Sequence, residues 1–117
     1  MSFIKKGAQE VVVMEGFFDY LPLLVLHQRQ GLPLTNFLIL NSLSFFDKAR
    51  SLMEKHTSVN LYLDKDAMGI KCTKEAVKLA SRFVDKSELY QGSKDLNEWL
   101  VKGSQQQKKA HKIRRHL

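Results

Sequence analysis

The chain has 117 residues, 44% of them hydrophobic, and a formal net charge of +7 at pH 7; this length supports one folded domain with its own core. No apolar run approaches the roughly 20 residues of a membrane-spanning helix, and residues 1–6 lack the apolar segment of a signal peptide. The single cysteine, Cys72, excludes an internal disulfide and a cysteine-based zinc site, so we expect a cytoplasmic protein with no membrane partner.

A strand over Val11–Met14 and a helix within Phe17–Gln30 are the first predicted elements. Four consecutive apolar residues are typical of a strand covered on both faces, and Gly16 after it permits a close approach of the backbone. Pro22 is tolerated in the first turn of a helix, so we expect the helix to begin near Asp19, acting as N-cap. The face expected to point inward consists of Phe18, Leu21, Leu24 and Val25.

The second and third strands are predicted over Asn36–Leu40 and Val59–Leu63, separated by a helix over Phe45–Lys55. Ser44 is the candidate N-cap of that helix. Apolar residues recur at helical spacing along it, which predicts its buried face. That face consists of Phe46, Ala49, Leu52 and Met53.

The remaining elements are a helix over Thr73–Val84, a short fourth strand over Ser87–Tyr90, and a last helix that opens at Asp95 with a capping-box pattern. In the first of these helices, Val77, Ala80 and Phe83 or Val84 are expected to point inward. Strands that alternate with helices predict right-handed crossovers and a parallel sheet. The predicted fold class is therefore α/β, with about four parallel strands and helices on both faces.

Acidic residues follow two of the predicted strands at the points where these strands end. Glu15 follows the first strand, and Asp64 and Asp66 follow the third. Ligands of open α/β sheets gather outside the carboxyl ends of the strands, so the three acids meet if these strands are neighbours and the second strand lies outside the first. Carboxylates without histidine or cysteine favour Mg²⁺ or Mn²⁺ over zinc, and such sites suit phosphoryl chemistry. We predict that these three acids form one metal site.

Two further acids have two interpretations each. Asp19 is either the N-cap of the first helix or a support of the metal site. Asp95 either caps the last helix or is a further metal ligand at the same edge of the sheet. Lys65, which lies between the two aspartates, is expected to point away from the site into solvent because side chains alternate along a strand.

The body of the chain, residues 1–103, is predicted to be one domain with a charge of +2, and the remaining +5 lies in a basic tail over residues 104–117. The tail is predicted to be helical or disordered. Its positive charge favours nucleic acid as a partner, whereas a solvated helix end or a fragment boundary is the alternative. The basic residues concerned are Lys108, Lys109, Lys112, Arg114 and Arg115.

The two acidic segments, Glu15-Gly-Phe-Phe-Asp19 and Leu63-Asp-Lys-Asp-Ala-Met-Gly69, together resemble the Toprim domain. This domain is shared by DnaG-type primases, type IA and type II topoisomerases, OLD-family nucleases and RecR-type recombination proteins. The resemblance covers roughly residues 8–101. Within the family, the segments Glu15–Leu21, Asn41–Ser44 and Lys94–Glu98 are most similar to bacterial DNA primases and the primase-like proteins of mobile elements.

The resemblance implies a Rossmann-like three-layer fold and Mg²⁺-dependent nucleotidyl transfer, as in primer synthesis for DNA replication or mobilisation. It implies DNA or RNA, nucleoside triphosphates, and a helicase or other replication proteins as partners. The chain departs from primases at Asn97, where they often have aspartate, and at Lys65, where glycine is usual. The implied catalytic and metal-binding acids are Glu15, Asp64 and Asp66, with Asp95 as a further metal ligand. The implied supporting residues are Asp19, Gly16, Gly69 and Asn97.

Other functions stay open within the family. One is phosphodiester cleavage, as in an OLD-type nuclease or a topoisomerase, with Glu15 acting as general acid and base. Another is a non-catalytic module that binds nucleic acid or a replication partner. Full primases also carry zinc-binding and template-binding parts that this sequence does not show. We therefore expect a domain excised from a larger protein, or a small protein whose activity depends on such parts.

Overall fold

A five-stranded sheet is the centre of the computed structural model, in which residues 1–32, 34–95 and 97–102 are described. The strands are β1 (Ser2–Ile4), β2 (Glu10–Met14), β3 (Asn36–Ile39), β4 (Ser58–Tyr62) and β5 (Phe83–Asp85). Their order in the sheet is β1-β3-β2-β4-β5; β2 to β5 run parallel and β1 runs antiparallel to β3. Val11 of β2 pairs with Val59 of β4 on one side and with Asn36 of β3 on the other. The prediction that the two acid-bearing strands are neighbours is therefore confirmed.

Helices cover both faces of the sheet, as predicted for a three-layer α/β fold. The helices are α1 (Tyr20–Gln30), α2 (Phe46–Met53) and α3 (Ala67–Leu79), with 3-10 turns at Phe17–Asp19, Leu43–Phe45 and Ser87–Tyr90. One core lies between the sheet and the pair α2 and α3, and the other lies between the sheet, α1 and the helical residues 97–102. Successive strand residues, such as Val11 and Val12, face opposite cores, because side chains alternate along a strand.

Two strand predictions were wrong. The antiparallel edge strand β1 was not predicted, because three residues give no usable alternation. The fourth parallel strand is Phe83–Asp85, not Ser87–Tyr90. Tyr90 is fully buried in a 3-10 turn rather than in a strand, and its hydroxyl donates a hydrogen bond of 2.5 Å to the carbonyl of Leu63. The residue is therefore part of the core, although its backbone is not part of the sheet.

The first helix begins near Asp19 as predicted, but of the residues expected to point inward only Leu24 packs against the core. The 3-10 turn that precedes Tyr20 changes the phase of the helix, so Leu23 is fully buried and Leu24 packs against the same core. The exposed fraction is 81% for Phe18 and 58% for Leu21. Val25 is also exposed. The segment is apolar on all sides, which is why its helical periodicity did not identify a single buried face.

The boundaries of the two later helices also differ from the prediction. The predicted face of α2 is confirmed, but Ser44 does not cap this helix, whose N-cap position is Phe45 without a capping side chain. Ser42 caps the preceding 3-10 turn, because its side chain accepts a hydrogen bond from the Ser44 amide. Helix α3 begins six residues earlier than expected, directly after Asp66. Val77 is consequently exposed, and Phe83 and Val84 belong to β5. Within the described part of the chain, no helix is both long and apolar enough to cross a membrane.

A buried polar network closes the sheet at the edge opposite to the acids. The Asn36 amide oxygen accepts hydrogen bonds from the main-chain N–H groups of Lys6 and Ala8, and its nitrogen donates to the Ala8 carbonyl. The same nitrogen lies 2.9 Å from His56 Nε2, and His56 Nδ1 lies 3.0 Å from the Leu52 carbonyl. A neutral imidazole with its proton on Nδ1 satisfies both of these contacts.

We expect Asn36→Ala to lower the free energy of unfolding by about 3 kcal/mol, because it leaves buried partners of the amide without hydrogen bonds. Urea unfolding followed by circular dichroism measures this loss. Asn60→Ala is the matched control, since Asn60 lies on β4, on the other side of β2, and among the described residues its side chain accepts a single long hydrogen bond, of 3.5 Å, from the Ser58 hydroxyl. Equal losses in the two variants would contradict a structural role for the network.

Candidate metal site at the carboxyl edge of the sheet

Glu15 and Asp64 meet where the two central strands end. Met14 pairs with Tyr62 in the last step of the ladder, so Glu15 directly follows β2 and Asp64 lies two residues beyond β4. Glu15 Oε2 accepts a hydrogen bond of 2.6 Å from the main-chain N–H of Asp64. The Glu15 carbonyl accepts a second bond, of 2.7 Å, from Asn41 after β3. The acid after one strand thus fixes the backbone of the acid after the other.

A close approach of two backbones shapes the segment from Asp64 to Gly69. Asp66 is the N-cap of α3, and its Oδ1 accepts a hydrogen bond of 2.8 Å from the Gly69 amide. A Cβ atom at Gly69 would lie 2.0 Å from the Asp64 carbonyl oxygen, so only glycine fits there without movement of the backbone. At Gly16 the nearest atom would be 3.7 Å away, which is ordinary contact. The close approach expected at Gly16 therefore occurs at Gly69 instead.

Asp19 and Asp95 form the outer part of the same acidic group. Asp19 occupies the N-cap position of α1 but makes no capping hydrogen bond; it is 5% exposed, and its Oδ1 accepts from the Asn97 amide at 3.2 Å. Asp95 accepts a hydrogen bond of 2.8 Å from the Glu98 amide. The capping interpretation is therefore confirmed for Asp95, whereas the buried Asp19 carboxylate holds the start of the last helical segment.

Burial and mutual repulsion raise the pKa values of Glu15, Asp19 and Asp64. Burial, followed by the charges of Asp64, Asp66 and Asp19, raises the pKa of Glu15 to about 7. Burial and the charge of Asp95 raise the pKa of Asp19 to about 6, and the same two causes raise the pKa of Asp64. The group therefore holds more negative charge than its surroundings offset, and a cation bound there would relieve this repulsion.

Three residues outside the predicted set position the acidic group. The main-chain N–H of Lys65 donates to the Lys94 carbonyl at 2.8 Å, which ties the loop before Asp95 to the loop after Asp64. Lys65 is half-buried with its Nζ 5.5 Å from the centre of the Tyr90 ring, so the expectation that it points into solvent was wrong. The Tyr90 hydroxyl bonds the carbonyl next to Asp64. No local sequence pattern indicates these contacts, because they join segments about 25 residues apart.

Comparison with known protein families decides the affiliation of the chain. A family model described as Toprim-like matches residues 12–100, which is more than half of the sequence. The chain belongs to this Toprim-like family. A search of the curated proteins found no match.

Two solved structures share the fold of this Toprim domain. The primase fragment of the bacteriophage T7 primase-helicase protein matches with 22% identity and a TM-score of 0.63, over 85% of this chain and 41% of that chain. A chain in the structure of bacteriophage T7 lagging-strand DNA polymerase interacting with primase domains of two gp4 subunits bound to an RNA/DNA hybrid and dTTP matches with 23% identity and a TM-score of 0.61. That match covers 86% of this chain and 51% of that one. The chain thus spans about half of these structures or less.

The donor set of the Toprim domain fits a hard divalent cation. Glu15, Asp64 and Asp66 offer only carboxylate oxygens, which Mg²⁺ and Mn²⁺ prefer, and the raised pKa values mark a local excess of negative charge. In the described residues, however, no three His, Cys, Asp or Glu side chains are grouped closely enough to hold one ion. Mg²⁺ is commonly held by one or two carboxylates together with substrate phosphates, so this spacing is compatible with a site completed by substrate.

The basic residues proposed from the sequence to bind nucleic acid lie outside the described residues. These are Lys108, Lys109, Lys112, Arg114 and Arg115. Their role therefore stays a prediction from composition alone.

We expect Gly69→Ala to lower the free energy of unfolding by at least about 2 kcal/mol and to weaken Mg²⁺ binding, because the new Cβ displaces the Asp64 carbonyl. Thermal unfolding and isothermal titration calorimetry measure the two effects. Gly16→Ala is the matched control for stability, since its Cβ would make only ordinary contacts. A stable Gly69→Ala variant with unchanged Mg²⁺ affinity would show that the close approach is not required.

The metal-free protein should become less stable as the pH rises. Because the pKa of Glu15 is about 7 in the folded state against an ordinary value of 4.5, the folded protein binds more protons than the unfolded chain between these values. Its stability therefore decreases with increasing pH across that window. We expect Tm in EDTA to fall from about pH 5 to about pH 8, and to fall less in Glu15→Gln. A Tm that rises over this interval in EDTA would contradict the assignment.

Proposed function

We propose that this Toprim domain is the Mg²⁺-dependent catalytic part of a primase-like nucleotidyltransferase. The observation that carries the proposal is the bond from the Asp64 amide to Glu15, which joins two strand-ending acids at the carboxyl edge of a parallel sheet. Ligands of such sheets bind at that edge. The fold shared with two bacteriophage primase structures supports the same choice of reaction.

Asp64 and Asp66 are the proposed principal ligands of the cation, with Glu15 adjacent to them. When bound, Mg²⁺ would neutralise phosphate charge and orient the attacking oxygen. The chain contributes rigidity: Glu15 accepts a hydrogen bond from the Asp64 amide, and the Gly69 amide donates to the Asp66 carboxylate. Gly69 also leaves the space into which the Asp64 carbonyl fits. Asp19 and Asp95 add negative charge next to Asp64, which increases the attraction for a cation. This rigidity reduces the reorganisation needed when substrate phosphates arrive.

Nucleic acid and nucleoside triphosphates are the proposed partners. The second matched structure contains primase domains bound to an RNA/DNA hybrid and dTTP, and the first is a fragment of a primase-helicase protein. Those chains extend well beyond the region that matches this domain. We therefore propose that binding of the template and contact with a helicase depend on parts that lie outside the matched region.

Phosphodiester cleavage is the second candidate function, and the environment of Glu15 favours it. A carboxyl group whose pKa is raised to about 7 can both accept and release a proton near neutral pH, as general acid–base catalysis requires. In that reaction Glu15 would move a proton, whereas in nucleotidyl transfer its main task is to hold the Asp64 backbone.

We expect Asp64→Asn combined with Asp66→Asn to weaken Mg²⁺ or Mn²⁺ binding on the order of tenfold or more, because two carboxylate ligands become amides. Asparagine can still cap α3, so the helix start should persist. Isothermal titration calorimetry measures the affinity. The control is Asp47→Asn combined with Glu88→Gln, which removes two exposed acids elsewhere. Equal affinities in the two variants and the wild type would refute the metal site.

Product analysis separates the two candidate reactions. The wild-type protein is incubated with Mg²⁺ and either labelled ribonucleotides on a single-stranded template or supercoiled plasmid without nucleotides. Labelled oligonucleotides support primer synthesis, and nicked plasmid supports cleavage. Metal-dependent nucleic-acid binding with neither product under Mg²⁺ or Mn²⁺ would favour a non-catalytic module.

A further inference from the structure

Three lysines lie along one solvent-facing side of α3. Lys71, Lys74 and Lys78 are all exposed and are spaced three and four residues apart, which places them on one face of the helix. They span about 10 Å along the helix axis, at 1.5 Å per residue. Because α3 begins directly after Asp66, this lysine row starts close to the acidic edge and leads away from it.

The lysine row is not neutralised by the protein itself. Within residues 1–32, 34–95 and 97–102, the only ion pairs join Arg50 to Glu54 and Lys102 to Glu98. Glu75 is exposed on α3 but pairs with none of the three lysines. Glu75 lies four residues after Lys71 and three before Lys78, so it offsets part of the repulsion among the lysines. The three lysines outnumber it, and this side of α3 therefore keeps a net positive charge that attracts an anionic partner.

A small cleft connects the lysine row with the acidic edge. Its volume is about 60 Å³, and Lys74 lines it together with Asp64 and Lys65. Asp85 is the other acid on its wall, and it already accepts a hydrogen bond of 2.8 Å from the Ser87 amide. The cleft is too small for a nucleotide, which needs several hundred Å³. It nevertheless places Lys74 of the row and Asp64 of the acidic edge on the walls of one cleft.

We propose that Lys71, Lys74 and Lys78 bind the phosphate backbone of a single-stranded nucleic acid whose reacting end lies at the acidic edge. This inference rests on the proposed function and adds the path of the strand over the domain. The positive row attracts the backbone, while the negative edge admits phosphate oxygens only together with a cation. The register of the strand would then be set by the distance between Lys74 and Asp64 across the shared cleft.

The salt dependence of binding tests the row. We expect Lys71→Gln, Lys74→Gln and Lys78→Gln together to reduce the slope of log K against log salt for a single-stranded oligonucleotide by about 2, since each phosphate contact contributes about 0.7. Fluorescence anisotropy in EDTA over a series of salt concentrations measures the slope. Glutamine keeps the helix propensity close to that of lysine, so the triple variant should fold.

The control variant removes the same charge elsewhere. Lys5→Gln, Lys6→Gln and Arg29→Gln alter three exposed cations, two after β1 at the opposite edge of the sheet and one in the last turn of α1. A slope that falls equally in both triple variants would overturn the proposal that the lysine row binds the strand, because only the net charge of the protein would then matter. An unchanged slope in the α3 variant would overturn it as well.

The test of the lysine row gives a result that is independent of the test of the proposed function. Asp64→Asn with Asp66→Asn should abolish metal-dependent chemistry but leave the salt slope in EDTA unchanged if the row binds the strand. Metal-dependent chemistry that persists while the α3 lysines prove irrelevant to binding would retain the function and refute the path. If the aspartate variant and the α3 lysine variant both lose the chemistry, and only the α3 variant shows a reduced salt slope, the result would support both the proposed function and the proposed path of the strand.

Discussion

The peptide of Asp64 is held from two sides, and the geometry of the acidic edge depends on this. Its N–H donates to Glu15, and its carbonyl lies so close to Gly69 that a methyl group would reach within 2.0 Å of the oxygen. The hydrogen bond joins the segment after β4 to the segment after β2, and the close approach places the segment after β4 directly against the start of α3. Tyr90 adds a third restraint at the preceding carbonyl, that of Leu63. Asp64 can therefore lie beside like charges without moving away from them.

The position of the acids could be predicted because it follows from simple rules. A continuous apolar run predicted each buried strand, and the carboxyl ends of parallel strands meet at one edge, so Glu15 and Asp64 had to lie close once β2 and β4 were neighbours. The position of a residue that follows a buried strand can therefore be predicted from the local sequence. Capping was one of two interpretations of Asp95, and the capping-box pattern that predicted it depends on a residue only three positions away.

Other features could not be predicted because they depend on contacts with residues far away in the sequence or on the rotation of a helix about its axis. The 3-10 turn before Tyr20 rotates a helix that is apolar on all sides, and this rotation decides between Leu23 and Phe18 as the buried residue. The strand β5 is short and is defined by its ladder with β4 rather than by its own pattern. The contacts of Lys65 with Lys94 and Tyr90 bring together segments that nothing in their sequences relates.

The direction of β1 has a practical consequence. Because β1 runs antiparallel to β3, Ser2 pairs with Ile39 and therefore lies level with Met14, at the end of the sheet where the acids are found. An affinity tag or fusion partner placed ahead of Met1 would emerge at that end. A tag there could crowd an incoming nucleic acid or, if rich in histidine, compete for divalent ions. Recombinant versions for metal titrations are therefore better compared with and without such an extension.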